Sequence, residues 1–186
     1  MPVSQITEVF NERLGARYGV RLKGGGAEPF YQAPKAPECA LIVFRADYSA
    51  SALHEVAHWC LAGPQRRLLD DYGYWYLPAR NAAQQAAFEA VEARPQALEA
   101  LFAEAAGVDF QVSSDDVASL PSPAFKARVA AERRLIEQQL PVRARCFLAA
   151  LKGANALIAP TAARTASVTA SGTVSQSVAG SRTVNA

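Results

Sequence analysis

Both histidines of the chain fall in one five-residue stretch, His54-Glu55-Val56-Ala57-His58, an HExxH motif. On a helix, residues four apart share a face and lie about 6 Å apart along the axis, so two imidazoles can converge on one metal ion. Glu55 is displaced around the helix and can reach a metal-bound water. A chain with only two histidines seldom places them at this spacing by accident, so metal binding outweighs two packed or solvated rings. Two imidazoles are rarely a whole site, and a carboxylate is the usual third ligand. Glu89 and Glu92, three apart beside Phe88 and Val91, share one helix face. One of them can bind the metal while the other holds a His N–H or an arginine; the plain alternative is a pair of solvated helix charges. Cys60, six residues after His54, points well around the helix from the histidine face and reads as a buried structural residue.

The metal is left open by these residue types. Two imidazoles and a carboxylate with open positions suit Fe(II) and oxygen activation. Nearly the same set on an HExxH helix suits zinc and peptide hydrolysis, with Glu55 as general base. A metal-stapled interaction module is a third reading, weakened by the lack of an obvious fourth ligand.

The elements that must position these groups can be read from periodicity and breakers. Ile6, Val9, Phe10 and Leu14 give a helix over Ser4 to Tyr18. Gly24-Gly25-Gly26 lacks a nucleotide-loop signature and reads as a plain turn. Leu41 to Phe44 is a short buried strand, followed by a helix capped by Ser49 and stopped at Gly63-Pro64. A long helix over Asn81 to Arg94 should end or kink at Pro95, with a second from Gln96 to Ala106 closing at Gly107. Two more helices are expected at about Ala124 to Leu140 and Val142 to Leu151. The fold expected is therefore α+β: a mostly helical single domain, residues 1–159, with a small sheet. Residues 160–186 are Thr, Ala, Ser, Val and Gly with little apolar bulk, and read as a low-complexity, disordered tail.

Composition narrows the partners. The 186 residues carry 19 Lys+Arg and 17 Asp+Glu, a formal charge of +2, which argues against nucleic acid bound through bulk positive charge. No apolar run is long enough to span a bilayer, and the first residues have neither a basic cap nor an apolar core. Cys39, Cys60 and Cys146, odd in number and widely spaced, fit reduced thiols and a cytoplasmic setting. The aromatic run Tyr72, Tyr74, Trp75 and Tyr76 either packs a loop or guides a cationic substrate arm. Asp71 can meet a substrate ammonium or, more simply, Arg66 or Arg67. The segment from Lys126 to Lys152 is basic, which is either a solvated face or a docking surface for an acidic partner.

Three blocks of sequence carry a resemblance. They are Tyr48 to Gly63 around the HExxH motif, Asp71-Tyr-Gly-Tyr-Trp-Tyr76, and Phe88-Glu-Ala-Val-Glu-Ala-Arg-Pro-Gln-Ala-Leu98. Together they resemble the bacterial elongation factor P hydroxylase family, with similar features continuing to about residue 152. The resemblance implies a non-haem iron protein whose fold is like that of HExxH metallopeptidases. It implies Fe(II) and O₂ acting on the β-lysylated lysine of elongation factor P, with a reductant the sequence does not identify. By position it implies His54, His58 and Glu92 as metal ligands. Glu55 would then orient water or a ligand, while Glu89, Asp71, Tyr74 and Tyr76 remain candidates for supporting or substrate contacts. The tail after Pro160 does not look like the family.

Overall fold

The computed structural model describes residues 1–71, 80–114 and 120–158. Alternation along Ala40-Leu41-Ile42-Val43-Phe44-Arg45 builds the middle strand of a three-stranded sheet, burying Ala40, Ile42 and Phe44 on one face. Strand β1 (Val20–Gly26) lies parallel to β3 (Ala40–Arg45), and β2 (Phe30–Gln32) antiparallel to its other edge, in the order β1-β3-β2. Of these, only the middle strand is foreseen from the sequence. The glycines expected to form a turn instead continue β1. A Cβ on Gly24 would stand 2.7 Å from Cζ of buried Phe44, and one on Gly26 would stand 2.6 Å from Cγ1 of Val43. The run is glycine because the neighbouring strand's side chains fill the space, and Gly25, at φ +89°, accommodates the register shift between Lys23 and Gly26.

Helices cover this sheet. The expected first helix is α1 (Val3–Phe10), a π turn over Asn11–Gly15, and the short α2 (Ala16–Tyr18). At the π turn the Asn11 side chain exchanges two hydrogen bonds with the Leu22 backbone, 2.8 and 3.0 Å, fastening the helix to β1. Helix α3 (Ser49–Leu61) carries the HExxH motif. Its N-cap is Tyr48, not Ser49, and Tyr48 makes no side-chain cap. The hydroxyl of Ser51 accepts from the Arg45 N–H at 3.0 Å instead, tying the helix start to β3.

The largest departure from expectation is at Pro95. Helix α4 runs unbroken from Ala82 to Ala106, with Pro95 inside it. An interior proline forfeits one backbone hydrogen bond and costs about 3 kcal/mol. Here α4 packs against α3, α5 (Pro123–Gln138) and α6 (Val142–Ile158), and Ala93, Gln96, Ala97 and Leu98 around the proline are all buried. Tertiary packing thus outweighs the local break. The ends obey sequence rules: Asn81 and Gln84 form a capping box, and Gly107 closes the helix at φ +64°. Helix α6 runs seven residues past the expected Leu151. The proposed tail, residues 160–186, lies outside the described residues.

The core that unites these elements is aromatic. Phe10 of α1 meets Trp59 of α3 edge-on at 5.5 Å and Phe147 of α6 at 5.4 Å, and Phe147 meets Phe102 of α4 at 5.0 Å. Such edge-to-face contacts add about 0.5–1.5 kcal/mol each beyond burial. They fix the backs of α3 and α4, so the histidine face of α3 is held from behind. Urea denaturation of Gly24→Ala should show a loss of about 1–3 kcal/mol from overpacking against Phe44. Gly63→Ala, where a Cβ meets nothing within 4 Å, should stay within about 0.5 kcal/mol of the parent. Equal costs at the two positions would contradict the close-approach account of β1.

Candidate metal centre

Helix periodicity brings His54 and His58 to one half-buried face of α3, their ring centroids 4.6 Å apart and their Nε2 atoms 3.0 Å apart. From α4, the carboxylate of Glu92 enters between them. Its Oε2 lies 3.5 Å from His54 Nε2 and its Oε1 3.3 Å from His58 Nε2. Ligand atoms about 2.1 Å from a shared ion stand about 3.0 Å apart at right angles and about 3.4 Å apart at tetrahedral angles. Each contact has the length of such an edge, with a different Glu92 oxygen facing each ring.

Glu92 supplies an independent test of fit. The residue is fully buried, and among the described residues no donor meets either carboxylate oxygen at good hydrogen-bond geometry, although His58 and Gln96 approach it. A buried carboxylate without donors costs several kcal/mol unless a charge compensates it. A cation between Glu92 and the two imidazoles removes that penalty, so the residues present suit a divalent metal.

Glu99 completes the arrangement, and the sequence reading missed it. It accepts the Nδ1–H of His54 at 2.8 Å, which leaves Nε2 free to face Glu92 and His58. A carboxylate behind a ligating imidazole fixes tautomer and ring orientation and raises basicity. Glu92 and Glu99 are seven residues apart, two helical turns, and share a face only because α4 continues through Pro95. The i+7 spacing was visible, but the expected break at Pro95 concealed it.

The charges pull the protonation states in a consistent direction. Burial disfavours charge on His54, yet its bond to Glu99 and the fields of Glu99, Glu55 and Glu92 overcome this and push its pKa up to about 10. Burial likewise works against ionised Glu92, but contact with His58 and the charge of both imidazoles holds its carboxyl below the usual range. The site is thus too anionic for its two rings and takes up a proton where a cation would sit.

Other candidates fall elsewhere. Glu89 accepts from Gln85 at 3.3 Å and from Ser122 at 3.4 Å, away from the His54, His58 and Glu92 group. Asp71 pairs with Arg66 and its backbone bridges Tyr31, so the local ion pair is the reading the structure favours. Tyr72, Tyr74, Trp75 and Tyr76 lie outside the described residues. Cys60 is buried among the core, and burial pushes its thiol pKa up. The basic segment is partly structural. Arg143 donates to the carbonyls of Ala62 (2.7 Å) and Cys60 (3.3 Å) and stacks 4.6 Å from Trp59, capping α3 just beyond His58. Arg133 pairs with Glu104 and Glu137.

The histidine face and Glu55 open into a cleft of about 1100 Å³, lined also by Tyr48, Phe88 and Val91. That volume admits a long side chain. Among the described residues no helix is long and apolar enough to cross a membrane.

Comparison with known proteins identifies the family. Residues 9–162 match the family described as Elongation factor P hydroxylase. A relative in Haemophilus influenzae, the Elongation factor P lysine hydroxylase, is 41% identical over 155 residues, covering 80% of this chain and 86% of that protein.

Two outcomes are expected of the centre. Glu92→Gln should lower the stability of the metal-free fold at pH 7, since the imidazoles it faces hold the carboxylate ionised, and the difference should shrink as pH falls and Glu92 protonates. Thermal unfolding that shows no loss at pH 7 would contradict this pairing. Because His54 holds a proton up to about pH 10, a metal taken up near neutrality must expel it. Apparent affinity should rise about tenfold per pH unit between 6 and 8, with about one proton released per ion, measured by calorimetry in buffers of different ionisation heat. Uptake with no proton release would contradict the electrostatics.

Proposed function

Because the chain belongs to the elongation factor P hydroxylase family, we propose that it hydroxylates the β-lysylated lysine of elongation factor P at an Fe(II) centre held by His54, His58 and Glu92. We assign this activity to residues 1–159 and place it in the cytoplasm. The observation that carries the metal reading is the fully buried Glu92 carboxylate between two imidazoles that line a cleft.

Two imidazoles and one carboxylate leave coordination positions open, and Fe(II) bound there supplies the activation of O₂ that insertion into an unactivated C–H requires. One oxygen atom enters the C–H bond and the other leaves as water, which consumes two electrons and two protons from an external reductant. The protein's own groups perform the positioning. Glu99 holds the His54 ring with Nε2 inward. Glu55, lining the cleft beside both histidines, orients water or a ligand at the metal. Val91, half-exposed in the cleft lining, presents apolar surface to the methylene chain of the substrate arm. The aromatic core behind α3 and the Arg143 cap keep the histidine pair from shifting as the arm enters.

Aerobic incubation of Fe(II)-loaded protein with β-lysylated elongation factor P and a reductant should add one oxygen to the substrate's intact mass. His54→Ala and His58→Ala should abolish the gain, and Glu92→Ala should weaken metal binding far more than Glu89→Ala. Fragments of the acceptor in place of an oxygen gain would assign the HExxH helix to peptide hydrolysis.

A further inference from the structure

Helix α4 keeps a proline in its interior, the residue least suited to that position. Packing explains how the helix tolerates Pro95 but not what the residue does, and local rules are broken most often where function needs the break. Proline has no N–H, so the carbonyl of Val91, four residues earlier, loses its helical donor. Among the described residues no group outside α4 donates to that oxygen. The loss falls at a particular place. Gln84, Phe88, Val91 and Glu99 of α4 line the cleft, and helical spacing puts position 95 on the same stripe, between Val91 and Glu99. Helix carbonyls point toward the C-terminus, so the Val91 oxygen stands on this stripe, directed from Val91 toward Glu99. Glu99 bonds His54, and the oxygen is therefore aimed along the cleft wall toward the metal centre. Val91 is 49% exposed there, whereas Pro95 is buried.

We propose that the Val91 carbonyl, freed by Pro95, accepts a hydrogen bond from an ammonium group of the substrate's lysyl arm. The inference rests on the hydroxylase reading and adds to it a contact by which the arm is recognised. A carbonyl oxygen can only accept, so its ligand is a donor, and a charged donor makes the stronger bond. Val91 then serves the arm twice, its side chain lying along the methylenes and its carbonyl fixing an ammonium. Any other residue at position 95 would return an N–H to this oxygen and close the helical ladder over it.

The test compares the binding of β-lysylated and unmodified elongation factor P to the anaerobic Fe(II)-loaded protein. Wild type should prefer the lysylated form. Pro95→Ala restores the N–H. It should hold the metal and unfold at the parent's temperature or above, yet bind the lysylated form about tenfold more weakly, with binding of the unmodified form unchanged. Alanine also removes the ring, so a second variant carries lactic acid at position 95, an ester with alanine's side chain and no N–H. It should keep the wild-type preference. A merely structural role for Pro95 predicts a different pattern, in which stability, metal content and binding of both forms fall together in the two variants. That pattern would overturn the proposal, as would an undiminished preference in Pro95→Ala, an equal loss in the ester variant, or no preference in wild type. Failure of the hydroxylase reading is scored separately, as no oxygen gain by wild type.

Discussion

A fully buried carboxylate with no well-aligned donor among the described residues is among the costlier features a protein can hold, and Glu92 is such a group. Its cost is offset chiefly by the two imidazoles of α3 and by the ion they can share with it. Much of the fold maintains this juxtaposition. If α3 and α4 slid by one turn, about 5.4 Å, the three groups would no longer meet. The Phe10, Trp59, Phe147 and Phe102 cluster prevents that slide from behind, and Arg143 prevents it from the end of α3.

The straight course of α4 matters as much. Pro95 lies between Glu92 and Glu99, and a kink there would rotate one carboxylate away from the other's face. The surrounding helices hold α4 continuous, so one rigid element supplies both the group facing Nε2 of His54 and the group behind its Nδ1. His54 is thereby gripped from both sides, while His58 is oriented through its partner ring and the end of α3. Rigid placement of first contacts by buried supports is what holds a catalytic constellation in its productive geometry.

Part of the candidate site was legible in the sequence because His54 and His58 are one turn apart. The residues alone left Glu89 and Glu92 as alternatives, and the family resemblance pointed to Glu92. What stayed hidden depended on tertiary context. The glycines of β1 look like a turn because nothing local says that Phe44 and Val43 occupy the space beside them. Pro95 looks like a break because propensity ignores the packing of α3, α5 and α6 around it. Glu99 followed that error into an ordinary acidic stretch. Arg143 looked like part of a basic surface, since its carbonyl partners at Cys60 and Ala62 are more than eighty residues away.

Membership of the elongation factor P hydroxylase family and the geometry at Glu92 both support the proposed metal centre of two imidazoles and one carboxylate beside the cleft. X-ray absorption on the anaerobic Fe(II)-loaded protein tests it most directly. The account predicts two imidazole scatterers and light oxygen scatterers at about 2.0–2.2 Å, with solvent among them, and loss of this shell in Glu92→Ala. A sulfur scatterer, or an unchanged shell in Glu92→Ala, would place the metal elsewhere and contradict the account.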